Sequence, residues 1–173
     1  MGAATVQAQI GTGSSVSWAN AESGGVFSRE DSLAGTTPTP IPTTTGTNFS
    51  WIKNFVLAVT VTGTTAITNR RINMSGAAAT GMQLFWKALA VASYAQAASG
   101  NQPGASGSNG ATPAGYTLMT TSTAQYDNTS HVTSASGPNG TMAVCVEGID
   151  NTYVGGASTS ATTPSLVISY DEA

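Results

Sequence analysis

Between residues 49 and 62 the chain alternates two sets of side chains, and only an extended strand sorts such sets onto opposite faces. Phe49, Trp51, Lys53, Phe55, Leu57, Val59 and Val61 form one set, apolar except for the lysine. Ser50, Ile52, Asn54, Val56, Ala58, Thr60 and Thr62 form the other, mostly small or polar. A two-residue repeat is the period of a β-strand, so the stretch reads as one long strand with Phe49, Trp51 and Phe55 turned toward a core. Thr62-Gly63-Thr64-Thr65 interrupts it, and a β-branched stretch follows at Ala66 to Met74. So short a connection containing glycine predicts an antiparallel hairpin.

Shorter apolar runs of the same kind recur at Gly81 to Lys87, Gly115 to Thr121, Thr141 to Ile149 and Ser165 to Tyr170. Turn formers separate them: Gly76, the stretch from Gly100 to Gly110, Gly137-Pro138-Asn139-Gly140, and Gly155-Gly156 through Pro164. This spacing predicts an all-β protein, a single antiparallel β-sandwich of roughly eight strands. Jelly-roll and immunoglobulin-like connectivity are both compatible with it. Ala88 to Ala98 is open between a short helix, favoured by its alanines, and an extended segment. Residues 1–47 are expected to form an extended N-terminal arm with one strand at Thr5 to Ile10, and residues 48–173 the sandwich domain. Within the arm, proline at alternate positions from Pro38 to Pro42 favours polyproline II, which suits either a strap across a neighbouring subunit or a linker. Ser99 to Thr112, rich in Gly, Ser, Asn and Ala, reads as an exposed loop.

Charge is what this chain lacks. Of 173 residues, 5 are Lys or Arg and 8 are Asp or Glu. That is 8% charged, against roughly 25% in an ordinary soluble domain. Ser, Thr, Gly and Asn must keep the surface wet instead, and such a surface is easily desolvated, which suits a protein covered by partners in its working state. A net charge of −3 excludes a basic stripe for nucleic acid. Arg70 and Arg71, the one adjacent basic pair, should point to opposite faces of a strand, one to a carboxylate and one to solvent. No run reaches the length of a membrane helix, and the N-terminal residues lack a signal-peptide pattern. A soluble chain beginning near Met1 is therefore expected.

The inventory for catalysis is equally thin. His131 is the single histidine, and no Gly-x-Ser-x-Gly elbow surrounds any serine, so a hydrolase centred on His131 has little support. Cys145 lies in the apolar run Met142 to Val146 and reads as a small buried hydrophobe. Asp127, Glu147, Asp150, Asp171 and Glu172 are scattered without calcium-loop spacing. Gly11-Thr12-Gly13 and Gly24-Gly25 lack the helix and lysine of a phosphate cradle. The sequons at Asn48, Asn73, Asn128 and Asn139 match chance in so Asn-, Ser- and Thr-rich a chain. No catalytic residue, cofactor or metal ligand is expected, and the protein reads as a non-enzyme. The aromatic residues leave one other possibility, a carbohydrate-binding module that stacks sugars on exposed Trp and Tyr.

Several segments carry a resemblance. Trp51 to Thr60, then Ile67-Thr68-Asn69-Arg70-Arg71-Ile72, Thr80 to Ala88, Pro113-Ala114-Gly115-Tyr116, Tyr126-Asp127, Gly148-Ile149-Asp150, Tyr153-Val154-Gly155-Gly156 and Pro164 to Glu172 resemble small virion structural proteins of tailed bacteriophages. The resemblance spans residues 50 to 173, and its motifs are structural, so no active-site residue carries over. It implies a chain made in the host cytoplasm and placed on the capsid surface as a decoration or cement protein. Such a protein binds between subunits of the major capsid protein, often as a homotrimer, and stabilises the mature shell. A tail, baseplate or fibre component is the alternative within the same virion.

Overall fold

A computed structural model describes residues 4–21, 27–31, 39–104, 107–138, 140–154 and 165–173. Along the first half run β1 (Thr5–Thr12), β2 (Ser17–Asn20), β3 (Asn48–Phe49), β4 (Lys53–Val61), β5 (Ala66–Met74) and β6 (Met82–Ala90). The second half adds β7 (Thr117–Leu118), β8 (Ala124–Asp127), β9 (His131–Val132), β10 (Gly137–Pro138), β11 (Thr141–Ile149) and β12 (Leu166–Glu172). They form two antiparallel sheets, the all-β sandwich that the alternation predicts. The larger sheet has the order β2-β1-β4-β11-β6-β7, with β10 beside β4 and β3 beside β11. The smaller has β12-β5-β8, with β9 also against β5.

Alternation along β11 divides the interior in two. Ala143 and Cys145 face the smaller sheet, meeting Phe55, Leu84, Trp86, Ile72, Met74 and Tyr126. Met142, Val144 and Val146 point the other way, to Phe49, Ile52, Val56, Phe85 and Ala97. The larger sheet is thus covered on both faces, and all seven residues from Lys53 to Val59 are buried. Their small and polar set, which looks solvent-facing in the sequence, lies under residues 91–97. Asn54 Nδ2 donates to the Ala95 carbonyl across that layer at 2.9 Å.

The structure departs from the sequence reading in three places. First, residues 49–61 are not one unbroken strand. Phe49 faces Gly148 and Lys53 faces Cys145, so four steps on one strand oppose three on its partner. This one-residue slip turns Phe49 and Trp51 to one side of the sheet and Phe55 to the other. Second, β4 and β5 are not a hairpin. They lie in different sheets, and residues 62–65 arch across the end of the sandwich. The backbone groups of the arch pair with another segment: Gly63 N–H donates to the Thr133 carbonyl at 3.0 Å, and the Thr133 hydroxyl donates to the Thr65 carbonyl. Third, the described part of residues 1–47 contributes strands to the larger sheet. β1 extends the strand expected at Thr5 to Ile10 and runs along β4 from Thr5 opposite Val61 to Gly11 opposite Asn54, while Phe27 and Ile41 are buried. Residues 32–38, including part of the proline repeat, and the Gly24-Gly25 and Gly155 to Pro164 turns lie outside the described residues.

Between Ala88 and Ala98 the extended alternative holds as far as Ala90, where β6 ends. A single 3₁₀ turn at Val91–Ser93 follows. Beyond it the chain is strapped down: Tyr94 Oη donates to Gly13 O at 3.0 Å and Gln96 Nε2 to Asp31 Oδ2 at 2.8 Å. Tyr94 also packs edge-on against Trp18, with ring centroids 5.8 Å apart. Both rings press on Gly11, where an added Cβ would come within 2.9 Å of each.

Candidate functional site

The two adjacent arginines are separated by the sheet, as strand geometry requires, but both meet carboxylates. Asn69, at φ 48°, lies beside a register shift between Arg70 and Arg71. Arg70 turns inward, fully buried, with Nη1 3.8 Å from Asp127 Oδ2 and donating to Thr141 O at 3.3 Å. His131 Nε2 lies 2.7 Å from the same Asp127 oxygen, and Thr129 N–H donates to Oδ1 at 2.9 Å. Burial alone would raise the Asp127 pKa. The hydrogen bonds from Thr129, His131 and Thr141 outweigh it and hold the carboxyl down at about 2. His131 is itself pressed by Gly140, where a Cβ would sit 2.1 Å from its Cε1. The Arg70, Asp127 and His131 side chains therefore bond inward, and they pin the smaller sheet to the start of β11.

A second interior charge is Lys53, 2% exposed, whose Nζ donates to the Glu30 carbonyl at 2.6 Å. Desolvation lowers its pKa to about 8, against the opposing pull of Asp31 and Glu30. Lys53 thereby ties the 27–31 segment to β4. Cys145 is fully buried between the sheets, and desolvation raises its pKa, so the thiol stays protonated. Among the sequon residues Asn48 is buried, Asn128 is exposed and Asn139 lies outside the described residues. No group of three or more His, Cys, Asp or Glu that could hold a metal occurs among the described residues. No helix there is long and apolar enough to cross a membrane.

The outer face of the smaller sheet is mainly polar, with Val167 its apolar exception opposite Asn73. Gln125, Arg71 and Ser169 stand in one cross-strand row. Gln125 Nε2 donates to Asn69 Oδ1 at 2.7 Å, Asn69 Nδ2 to Asp171 Oδ2 at 2.9 Å, and Arg71 Nη1 to the same oxygen at 3.1 Å. Arg71 Nη2 also pairs with Asp171 Oδ1. The Arg71 bond holds the exposed Asp171 carboxyl below its ordinary pKa. At one end of the sandwich Val61 and Val132 are 55% and 66% exposed, flanking the Gly63 to Thr133 hydrogen bond.

Of the three tryptophans, Trp86 is buried between the sheets, while Trp18 and Trp51 are half-buried against the other cluster. None lies free as a stacking platform. A cleft of about 400 Å³ lies among the described residues, and its lining includes Phe49, Lys87, Asn101, Gln102, Pro113 and Tyr116. The residues following position 99, read from sequence as an exposed loop, form its wall. Thr47 clamps the far side of this loop: its hydroxyl donates to Ser108 O at 3.1 Å and accepts from Gly110 N–H at 2.9 Å. Asn101 Nδ2 donates to Gln96 O at 2.9 Å. Lys87 Nζ lies 4.6 Å from the centroid of the Tyr116 ring. No local motif could have announced this cleft, because Phe49, Lys87 and Tyr116 belong to segments that only the folded sheet brings together. Comparison with known families, characterised proteins and solved structures returns no match for this chain.

Proposed function

We propose that this chain is a non-enzymatic virion structural protein, one that binds between subunits of a tailed-phage capsid and stabilises the mature shell. The outer face of the smaller sheet is the observation that carries this reading. Its charged pair, Arg71 and Asp171, is neutralised internally, and beside it stand amides and a hydroxyl, Asn69, Asn73, Gln125 and Ser169, with Val167 opposite Asn73, groups that exchange water for a partner at little cost. The exposed Val61 and Val132 at the sandwich end add apolar contact. Resemblance of residues 50 to 173 to small phage virion proteins supplies the setting, with the major capsid protein as partner and a homotrimer as the working form. Contacts that exist only on the mature lattice stabilise that lattice by mass action, and repetition over a shell adds avidity.

Adding the purified chain to expanded, undecorated shells tests the proposal. Saturable binding at a fixed ratio to the major capsid protein, with a raised shell melting temperature, is expected. Cryo-electron microscopy of complete virions finding the chain only in tails would replace this reading with a tail role.

A further inference from the structure

We infer that the open edge of β12 is where a second copy of this chain adds its own β12, antiparallel, about a two-fold axis at Ser169. The inference rests on that edge alone and not on the capsid reading; the contact closes on two copies, so a trimer would be built with another surface. β12 pairs with β5 on one side, and among the described residues no strand pairs with its other side. Hydrogen bonds at its two ends show which backbone groups face which way. Ser75 N–H donates to Ser165 O at 2.9 Å, and Ala66 and Ala173 exchange N–H to carbonyl bonds at 3.0 and 2.9 Å. By alternation Val167, Ser169 and Asp171 also turn their backbone groups to β5, while Leu166, Ile168, Tyr170 and Glu172 turn theirs to the open edge.

Proline, lysine or a bulge usually keeps such an edge unpaired. β12 has no proline, glycine or lysine. The extra residue at its register shift lies on β5, where three steps from Thr68 to Arg71 oppose two from Ser169 to Asp171, so β12 itself runs unbulged. Leu166 to Tyr170 is uncharged and rich in strand-forming residues. What this edge accepts is the extended backbone of another strand, and its own sequence fits a second copy. Parallel pairing in register would set Asp171 against Asp171 and Glu172 against Glu172, which like charges oppose. Antiparallel pairing about Ser169 sets Leu166 against Glu172, Val167 against Asp171 and Ile168 against Tyr170. No like charges then meet, and every outward N–H and carbonyl from Leu166 to Glu172 finds a partner. Asp171 is already matched by Arg71 of its own copy. The outer row Gln125, Arg71, Ser169 continues into the same row of the second copy, with two small hydroxyls at the axis.

Sedimentation equilibrium of the full chain should show its mass rising with concentration from one chain toward two. Ser169→Lys and Ser169→Glu each place like charges across the axis, and each should weaken self-association about tenfold or more. An equimolar mixture of the two variants should restore it, which also shows that both are folded. Ser169 meets its counterpart in a pair without backbone hydrogen bonds, where Cα atoms lie about 4.5 Å apart, within disulfide reach. Ser169→Cys should therefore form a covalent dimer under dissolved oxygen, while Gln125→Cys, on the same face but two strands from the edge, should not. Cys145 is buried and takes no part. A chain that stays monomeric up to about 1 mM, an oligomer unmoved by either charged variant, or failure of the mixture to associate or of Ser169→Cys to cross-link would each overturn the inference.

Discussion

Arg70 and Asp127 illustrate how a chain with so few charges uses them. Both are buried, so removing one leaves the other desolvated without its counter-charge. Asp127→Asn should destabilise the protein by about 3–5 kcal/mol, measured by urea unfolding at neutral pH. Asp127 also sets an acid limit. Its folded pKa of about 2 lies below the unfolded value of 3.8, so its contribution is complete above pH 3.8 and is lost as pH falls toward 2. That loss amounts to about 2 kcal/mol. Lys53 gives a slope of the same sign at alkaline pH, where the cost of burying its charge is relieved on deprotonation. Its folded pKa of about 8 lies below the ordinary 10.5, so the unfolded chain holds more protons between those values. Stability should therefore rise from pH 8 toward 10 by up to about 3 kcal/mol, a rise that Lys53→Met abolishes. Gly140 tests the packing of His131. With φ at 70° and the imidazole against its Cα, Gly140→Ala should cost about 1–3 kcal/mol. Adding His131→Ala should recover the steric part in a thermal melt.

Among the elements, β1 matters more than its place near the chain start suggests. It covers one edge of β4 from Asn54 to Val61 and buries Ile10 completely. Ile10→Ala should lose about 2–5 kcal/mol, and removal of residues 1–21 should abolish cooperative unfolding and give an aggregating chain on size exclusion. Strand identity was legible wherever alternation or a β-branched run reached the core, as in β4, β5, β6, β11 and β12. Sheet membership was not. Thr62 to Thr65 has the residues of a hairpin turn, yet its backbone groups pair with Thr133, seventy positions away, and β5 lands in the other sheet. Likewise nothing near Ser50 announced that its hydroxyl would accept the Glu147 N–H beside the slip that reverses Phe49. Such choices belong to distant partners, and the cleft at Lys87 was hidden for the same reason.

At the scale of the whole molecule, sparse charge has a measurable signature. Since the outer face neutralises its own ion pair, the shell attachment proposed above should change little between low and near-molar salt, where a charge-steered interface would weaken sharply. Sedimentation of shells with the chain across a salt series checks this. The topology carries a different consequence, for the birth of the protein. β11 is the hub of the larger sheet, joined to β4, β6 and β3, and, made of Thr141–Ile149, it follows every other strand of that sheet in the chain. At cellular rates of translation the strands before it wait on the order of ten seconds. During that time β4 and β6 lack the neighbour that joins them, and their apolar sides have nothing to close against. The nascent chain is therefore most exposed to misassociation until β11 has been made, and a ribosome stalled short of Thr141 should hold a protease-sensitive chain, while one stalled after the smaller sheet has emerged should hold a resistant one.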